Sequence, residues 1–183
     1  MNHDPSRRST SHIPAQSLSA TTNLVTALTS LLTLVCVDTK WEYGEAWIPD
    51  ATYPVLELSS AWSVDPNLDV DRANDWMQFQ ICSQAFVLSR GEGLPGRVWQ
   101  SCQPEWLDDV SVQAEGYFLR HQIAKALNVK AGLALPIVVN SQVLAVVVFF
   151  MSKARSLDPA IMSATQTAVG NFQSQFYCQI QSA

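Results

Sequence analysis

The chain has 183 residues, 48% of them hydrophobic and 15% charged, with a formal net charge of -5. That length suits one domain of ordinary size with its own core and would leave two independent cores cramped. The modest acidic balance gives no general attraction to nucleic acid or anionic membrane, so neither is a default partner.

The opening stretch, MNHDPSRRSTSHIPA, is polar, carries two prolines and lacks the apolar segment of a secretory signal. Residues 1–16 therefore read as a disordered arm ahead of a single domain at 17–183. Residues 17–37 place Leu18, Thr21, Val25, Leu28, Leu32 and Val35 at steps of three and four, which predicts a long amphipathic entry helix. Two strands are predicted next, WEYGEAWIP at 41–49 and VLELSSAW at 55–62, joined as a hairpin with Tyr43, Glu45 and Trp47 on one face. A helix is expected over 70–86, then a glycine-rich turn and a short helix from about Leu94. Residues 104–111 read as a short extended segment, and 112–128 return to helical spacing with Leu119, Ile123, Ala126 and Leu127 together.

Two apolar runs at 131–139 and 142–151 are rich in β-branched residues and divided by Asn140-Ser141, a two-residue hairpin turn. The second run, VLAVVVFFM from Val143, is far shorter than the roughly 20 residues that span a bilayer. The tail at 159–180, with Pro159 at its start, predicts an exit helix. Hairpins near both ends of the core imply an α+β domain with an antiparallel sheet, because parallel pairing would need a crossover between strands.

The stretch GEGLPGRV at 91–98 fits the loose G-x-G-x-x-G pattern of a nucleotide phosphate loop. A buried parallel strand and a distal acid should accompany such a loop, and QPEWLDDVSV, which follows it, is polar instead. The kinase and P-loop signatures are missing as well. A turn opening a helix is the simpler reading: Gly91 and Gly93 permit positive φ, Pro95 fixes φ at the first helical turn, Arg97 faces solvent or the acidic WLDD, and Val98 and Trp99 point inward.

Cys36, Cys82, Cys102 and Cys178 are widely spaced, with neither a C-x-x-C nor a neighbouring His to suggest zinc. They read as reduced thiols in a cytoplasmic protein, and no metal site is expected.

WEYGEAWIP, LELSSAW, RGEGLPGRVWQSCQPEWLDDVS and YFLRHQIAKALNVKAGLALPIVVNSQVLAVVVFFM, taken in series, resemble a GAF domain over roughly residues 18–181. The wording is similar to GAF domains of cyanobacterial and other bacterial signalling proteins. The resemblance implies an antiparallel sheet of five or six strands, with the N- and C-terminal helices on one face and the central helices and loops on the other. It also implies a noncatalytic sensory or regulatory role, with a small-molecule pocket under the central helices.

Carried onto this chain, that geography draws the ligand-binding wall from Trp76, Phe79, Phe86, Trp99, Trp106, Asp108, Phe118 and His121, with Val98 and Ala124 beside them and Leu133 and Leu135 closing the floor. Aromatic walls with a few polar groups suit a ligand, and the same aromatics also suit a filled core, so both readings stand. His121 is either a haem or metal ligand or a packed helix residue.

The helix reading GYFLRHQIAKAL has His121 but no Cys, so the family's thioether-anchored bilin is ruled out and a noncovalent tetrapyrrole stays open. The N-K-x-D-E signature of cyclic-nucleotide members is missing. Cys82 and Cys102 flank the glycine turn and leave a minor enzymatic reading, free methionine sulfoxide reduction through a thiolate and a resolving thiol. The main alternative to the sensor is a ligand-free interaction or assembly factor recruited to a larger complex. The chain is expected to act in trans on a partner protein and to form a homodimer through helices 17–37 and 159–180.

Overall fold

The computed structural model describes the backbone of residues 15–181 and the side chains of residues 23–178. All but the last two residues of the expected N-terminal arm lie outside the described residues.

Six strands form one antiparallel sheet, lying side by side in the order 87–89, 55–64, 43–49, 142–150, 132–139 and 105–107. The first hairpin pairs β1, Tyr43–Pro49, with β2, Val55–Val64, and the last pairs β5, Gly132–Val139, with β6, Gln142–Phe150. Strands β1 and β6 lie side by side at the centre, Tyr43 opposite Phe150 and Trp47 opposite Val146. The short β3, Val87–Ser89, and β4, Glu105–Leu107, close the two edges.

Asn140 and Ser141 have φ of 51° and 62°. Two successive positive φ values make the tight turn whose twist matches that of the strands it joins. In β2, Ser59, Ser60 and Ala61 stand opposite the single residue Ala46, so the strand bulges beside the centre of the sheet.

Helices cover both faces. The entry helix α1, Ala15–Thr39, and the exit helix α5, Pro159–Gln181, lie over one side, where Leu28, Leu32 and Val35 meet Leu133, Leu135, Val147 and Phe149. Asp158 accepts hydrogen bonds from the amides of Ala160 and Ile161, and Pro159 follows it where no amide donor is needed. Over the other face lie α2, Val70–Ser83, α3, Gly93–Ser101, and α4, His121–Ala126. Among the described residues no helix is long and apolar enough to cross a membrane.

The helix expected over 112–128 is reduced to the six residues of α4. A 3-10 turn occupies Val110–Val112, and the Ala114 carbonyl then accepts from the amides of both Tyr117 and Phe118. Helical spacing of apolar residues did not prevail here, because Gly116 weakens the helix and Arg120 is drawn into the interior. The expectation that Leu133 and Leu135 floor the central-helix side is also corrected. Both point to the α1 and α5 side, and Ala134 is the β5 residue that faces the other way. GLALPIVV is apolar at every position, so its pattern carries no parity signal.

Candidate functional site

Alternation along β1 sends Tyr43, Glu45 and Trp47 to the same side of the sheet. On β6 the same side receives Val146, Val148 and Phe150. A carboxylate in such company needs every lone pair satisfied and a counter-charge within reach.

Arg120 supplies the charge. Its Nη2 donates to Glu45 Oε1 at 2.6 Å and its Nη1 to Glu45 Oε2 at 3.0 Å, a two-pronged pairing of guanidinium and carboxylate. Trp47 Nε1 donates to Oε1 at 2.8 Å and the Tyr43 hydroxyl to Oε2 at 3.0 Å, so each carboxylate oxygen accepts two bonds. A further bond runs from Arg120 Nη1 to Ser83 Oγ at 2.8 Å, and that hydroxyl donates to the Phe79 carbonyl. Glu45 and Arg120 are the two buried charged side chains among the described residues.

Rings enclose the pair. The Arg120 Cζ lies 4.8 Å from the centroid of Phe79, 5.3 Å from Trp47, 5.4 Å from Phe150 and 5.5 Å from Phe118. Tyr43 stacks on Trp76 with centroids 5.2 Å apart, and Phe79 meets Phe150 edge to face at 5.4 Å. Burial, and then the neighbouring Glu45 carboxylate, push the Tyr43 phenol well above its ordinary range and keep it a donor.

An outer group fastens the segment that carries Arg120. Arg97 grips Glu105 through Nε and Nη2, and its Nη1 donates to the Tyr117 carbonyl. The Arg97 guanidinium lies 3.7 Å from the Tyr117 ring centroid, and the Tyr117 hydroxyl donates to Glu105 Oε1. Arg97 therefore pairs with Glu105 rather than with the aspartates of WLDD.

The glycine turn works structurally. Gly91 and Gly93 have φ of 82° and 61°, and a Cβ on Gly96 would stand 2.3 Å from the Ser89 carbonyl oxygen. The Gly91 amide bonds the Gly96 carbonyl and the Glu92 amide bonds Ser89. The Glu92 carboxylate takes the Ser89 amide. The Gly91, Glu92 and Ser89 amides are thus used within the turn, and the Glu92 carboxylate beside them disfavours an anion.

Of the residues read from the sequence as a ligand wall, Trp76, Phe79, Trp99 and Phe118 are buried together on the central-helix side, with Val98 and Ala124, and Phe86 packs at their edge. Trp106 and Asp108 are not brought into this group. Trp106 turns to the opposite layer, where its ring meets Trp41 at 5.2 Å and its Nε1 donates to the Arg155 carbonyl. Asp108 is exposed, and its carbonyl accepts from the Arg155 amide. A three-residue edge strand has one register, and β4 sends Leu107 to the central-helix side and Trp106 to the α1 and α5 side. His121 is half-buried at the start of α4, and its Nδ1 is buried without a hydrogen-bond partner.

Cys82 and Cys102 are free and exposed. Sequence reasoning placed Tyr43, Glu45 and Trp47 on one face and missed that Glu45 meets Arg120. The available signal was an acid between two aromatics of a buried strand face, which demands a cation from elsewhere.

The family model described as GAF domain matches residues 21–172. A 69-residue segment is 35% identical to Transcription factor bHLH13 of Arabidopsis thaliana, covering 38% of this chain and only 12% of that protein. Among solved structures, the GAF domain/HD domain protein from Geobacter sulfurreducens is similar in fold, with a TM-score of 0.62, 14% identity and coverage of 86% of this chain and 94% of that one. Free methionine-R-sulfoxide reductase from Neisseria meningitidis, solved with its substrate, also has a TM-score of 0.62, at 12% identity over 92% of this chain and 86% of that one. Identities this low speak to the fold alone.

Proposed function

The chain belongs to the GAF domain family, a regulatory and sensory fold of signalling proteins, and from that premise we propose a noncatalytic regulatory domain that keeps its interior filled with its own side chains and acts through protein contacts. The observation that carries this reading is the Arg120–Glu45 pair. It occupies the space between β1, β6 and α2 with a guanidinium, a carboxylate and four enclosing rings.

The protein contact is with a second copy. From Ala15 to Thr39, α1 carries Asp38 as its single charged residue, and α5 carries none from Pro159 to Gln181. Exposed helices are ordinarily charged on their outer faces. A twofold interface brings identical faces together, and uncharged faces do so without like-charge repulsion. Between these helices runs a groove of about 340 Å³, lined by Ala27, Leu31, Leu34, Ala168, Phe172 and Phe176 among others. Leu34 in its wall and Val37, three residues further along α1, are each 51% exposed, an area that a partner helix would cover.

Native mass spectrometry with an absorbance scan of freshly purified protein tests the reading. The expected result is a dimer whose mass is that of two polypeptides, converted to monomer by Leu34→Glu. A stoichiometric nonprotein mass, or a monomeric wild type, overturns it. A bound mass would instead support the ligand sensor, with Trp76, Phe79, Phe118 and Trp99 as the contacting walls.

A further inference from the structure

The two halves of the central ion pair have different origins. Glu45, Trp47, Phe79 and Phe150 come from β1, α2 and β6, the regular elements at the middle of the fold. Arg120 and Phe118 come from the irregular run between the 3-10 turn and α4, where residues 114–117 are exposed. That run is fastened from outside by Tyr117 on Arg97 and Glu105. A fixed receptor thus receives a cation carried on a strap.

The receptor has the chemistry of an organic-cation site. Aromatic faces attract a planar cation through their quadrupoles, and a carboxylate with both oxygens directed at it matches the parallel N–H donors of a guanidinium. Packing alone is a poor reason to place a charge here. Hydrophobic side chains of similar volume would fill the same space without the desolvation penalty of a buried ion pair.

We propose that Arg120 is a tethered ligand, and that the cage of Glu45, Trp47, Phe79 and Phe150 is a binding site for a small monoalkylguanidinium cation, entered when the strap carrying Tyr117 and Arg120 lifts. This rests on the filled interior proposed above and is independent of helix pairing. The tether holds Arg120 at high effective concentration, so a free cation competes weakly until the strap or the arginine is altered. Guanidinium is preferred over ammonium, because a point charge cannot reproduce the two-pronged contact.

The test uses ethylguanidinium, which supplies the atoms that Arg120→Ala removes, with ethylammonium and sodium at matched ionic strength as controls. Ethylguanidinium at low millimolar concentration should raise the Tm of Arg120→Ala saturably and leave the wild type unmoved. Adding Glu45→Gln to Arg120→Ala should abolish the rise. Tyr117→Ala, which keeps Arg120 and loosens the strap, covers the case in which the alanine variant does not fold. Tryptophan fluorescence should show it binding ethylguanidinium about tenfold or more tighter than wild type does. Equal effects of ethylammonium, or no saturable response in either variant, overturn the proposal. Failure of the broader reading shows separately, as a bound mass or a monomer in the mass spectrum of untreated wild type.

Discussion

Arg120 Nη2 lies 2.6 Å from Glu45 Oε1 across 75 residues of sequence, and the two side chains are 3% and 0% exposed. Removing one member leaves the other as a buried charge without its partner, which costs about 3–5 kcal/mol, whereas removing both relieves that penalty. Urea denaturation should therefore find Glu45→Gln and Arg120→Met each strongly destabilised. The double variant should lose clearly less than the sum of the two. Additive losses would mean that the pair is not coupled as described.

The same substitution should have different outcomes at Gly96 in the glycine turn and at Gly116 in the strap. Gly96→Ala forces a Cβ to 2.3 Å from the Ser89 carbonyl oxygen, a backbone atom that cannot yield cheaply. A loss of about 1–3 kcal/mol is expected, the usual range for overpacking. Around Gly116 nothing lies within 4 Å, so Gly116→Ala should stay within about 0.5 kcal/mol of wild type. Thermal melts of the two variants side by side check both.

Tyr43 sets an alkaline limit. Burial and the Glu45 carboxylate raise its phenol in the folded state, so the neutral form is the stabilised one. The resulting stability is fully present below the ordinary tyrosine range of about 10 and is lost as pH rises above it, because the unfolded chain releases the proton first. Tyr43→Phe loses the hydrogen bond to Glu45 at neutral pH, a bond to a charged group of the kind worth about 1.5–3 kcal/mol. The stability gap between wild type and Tyr43→Phe should narrow above pH ~10 when followed by denaturation at stepped pH.

Thiol chemistry separates the layers of the molecule. Burial, and then the charge of Asp65, push the Cys36 thiol up to about 12. Cys82, Cys102 and Cys178 are exposed. Iodoacetamide on the native protein should add three labels quickly, and peptide mapping should find Cys36 unlabelled until denaturant is added.

The elements that arise from local periodicity were legible in the sequence. Both hairpins, the Asn140-Ser141 turn and the terminal helices follow from apolar spacing and turn chemistry, and the GAF resemblance supplied their layering. What was not legible depends on parity or on distance. β5 is apolar on both faces, so nothing local says that Leu133 looks toward α1 rather than α2. Trp106 was placed in the wall by the family geography, and nothing local to a three-residue edge strand says which side its aromatic takes. Arg120 read as one position of a helix, and only the folded chain shows why the helix starts later. A bound carboxylate 75 residues away outweighs the few tenths of a kcal/mol of propensity at each position that would keep 113–120 helical.

The filled interior is tested most directly by the NMR signals of the Arg120 side chain, assigned by their loss in Arg120→Lys. A guanidinium held on Glu45 among four ring faces should show strong ring-current shifts and rotate slowly about its Cζ–Nε bond, giving separate Nη proton signals that resist exchange with water. A single averaged signal at the position of an exposed arginine, exchanging freely, would place Arg120 outside the cage and contradict the account.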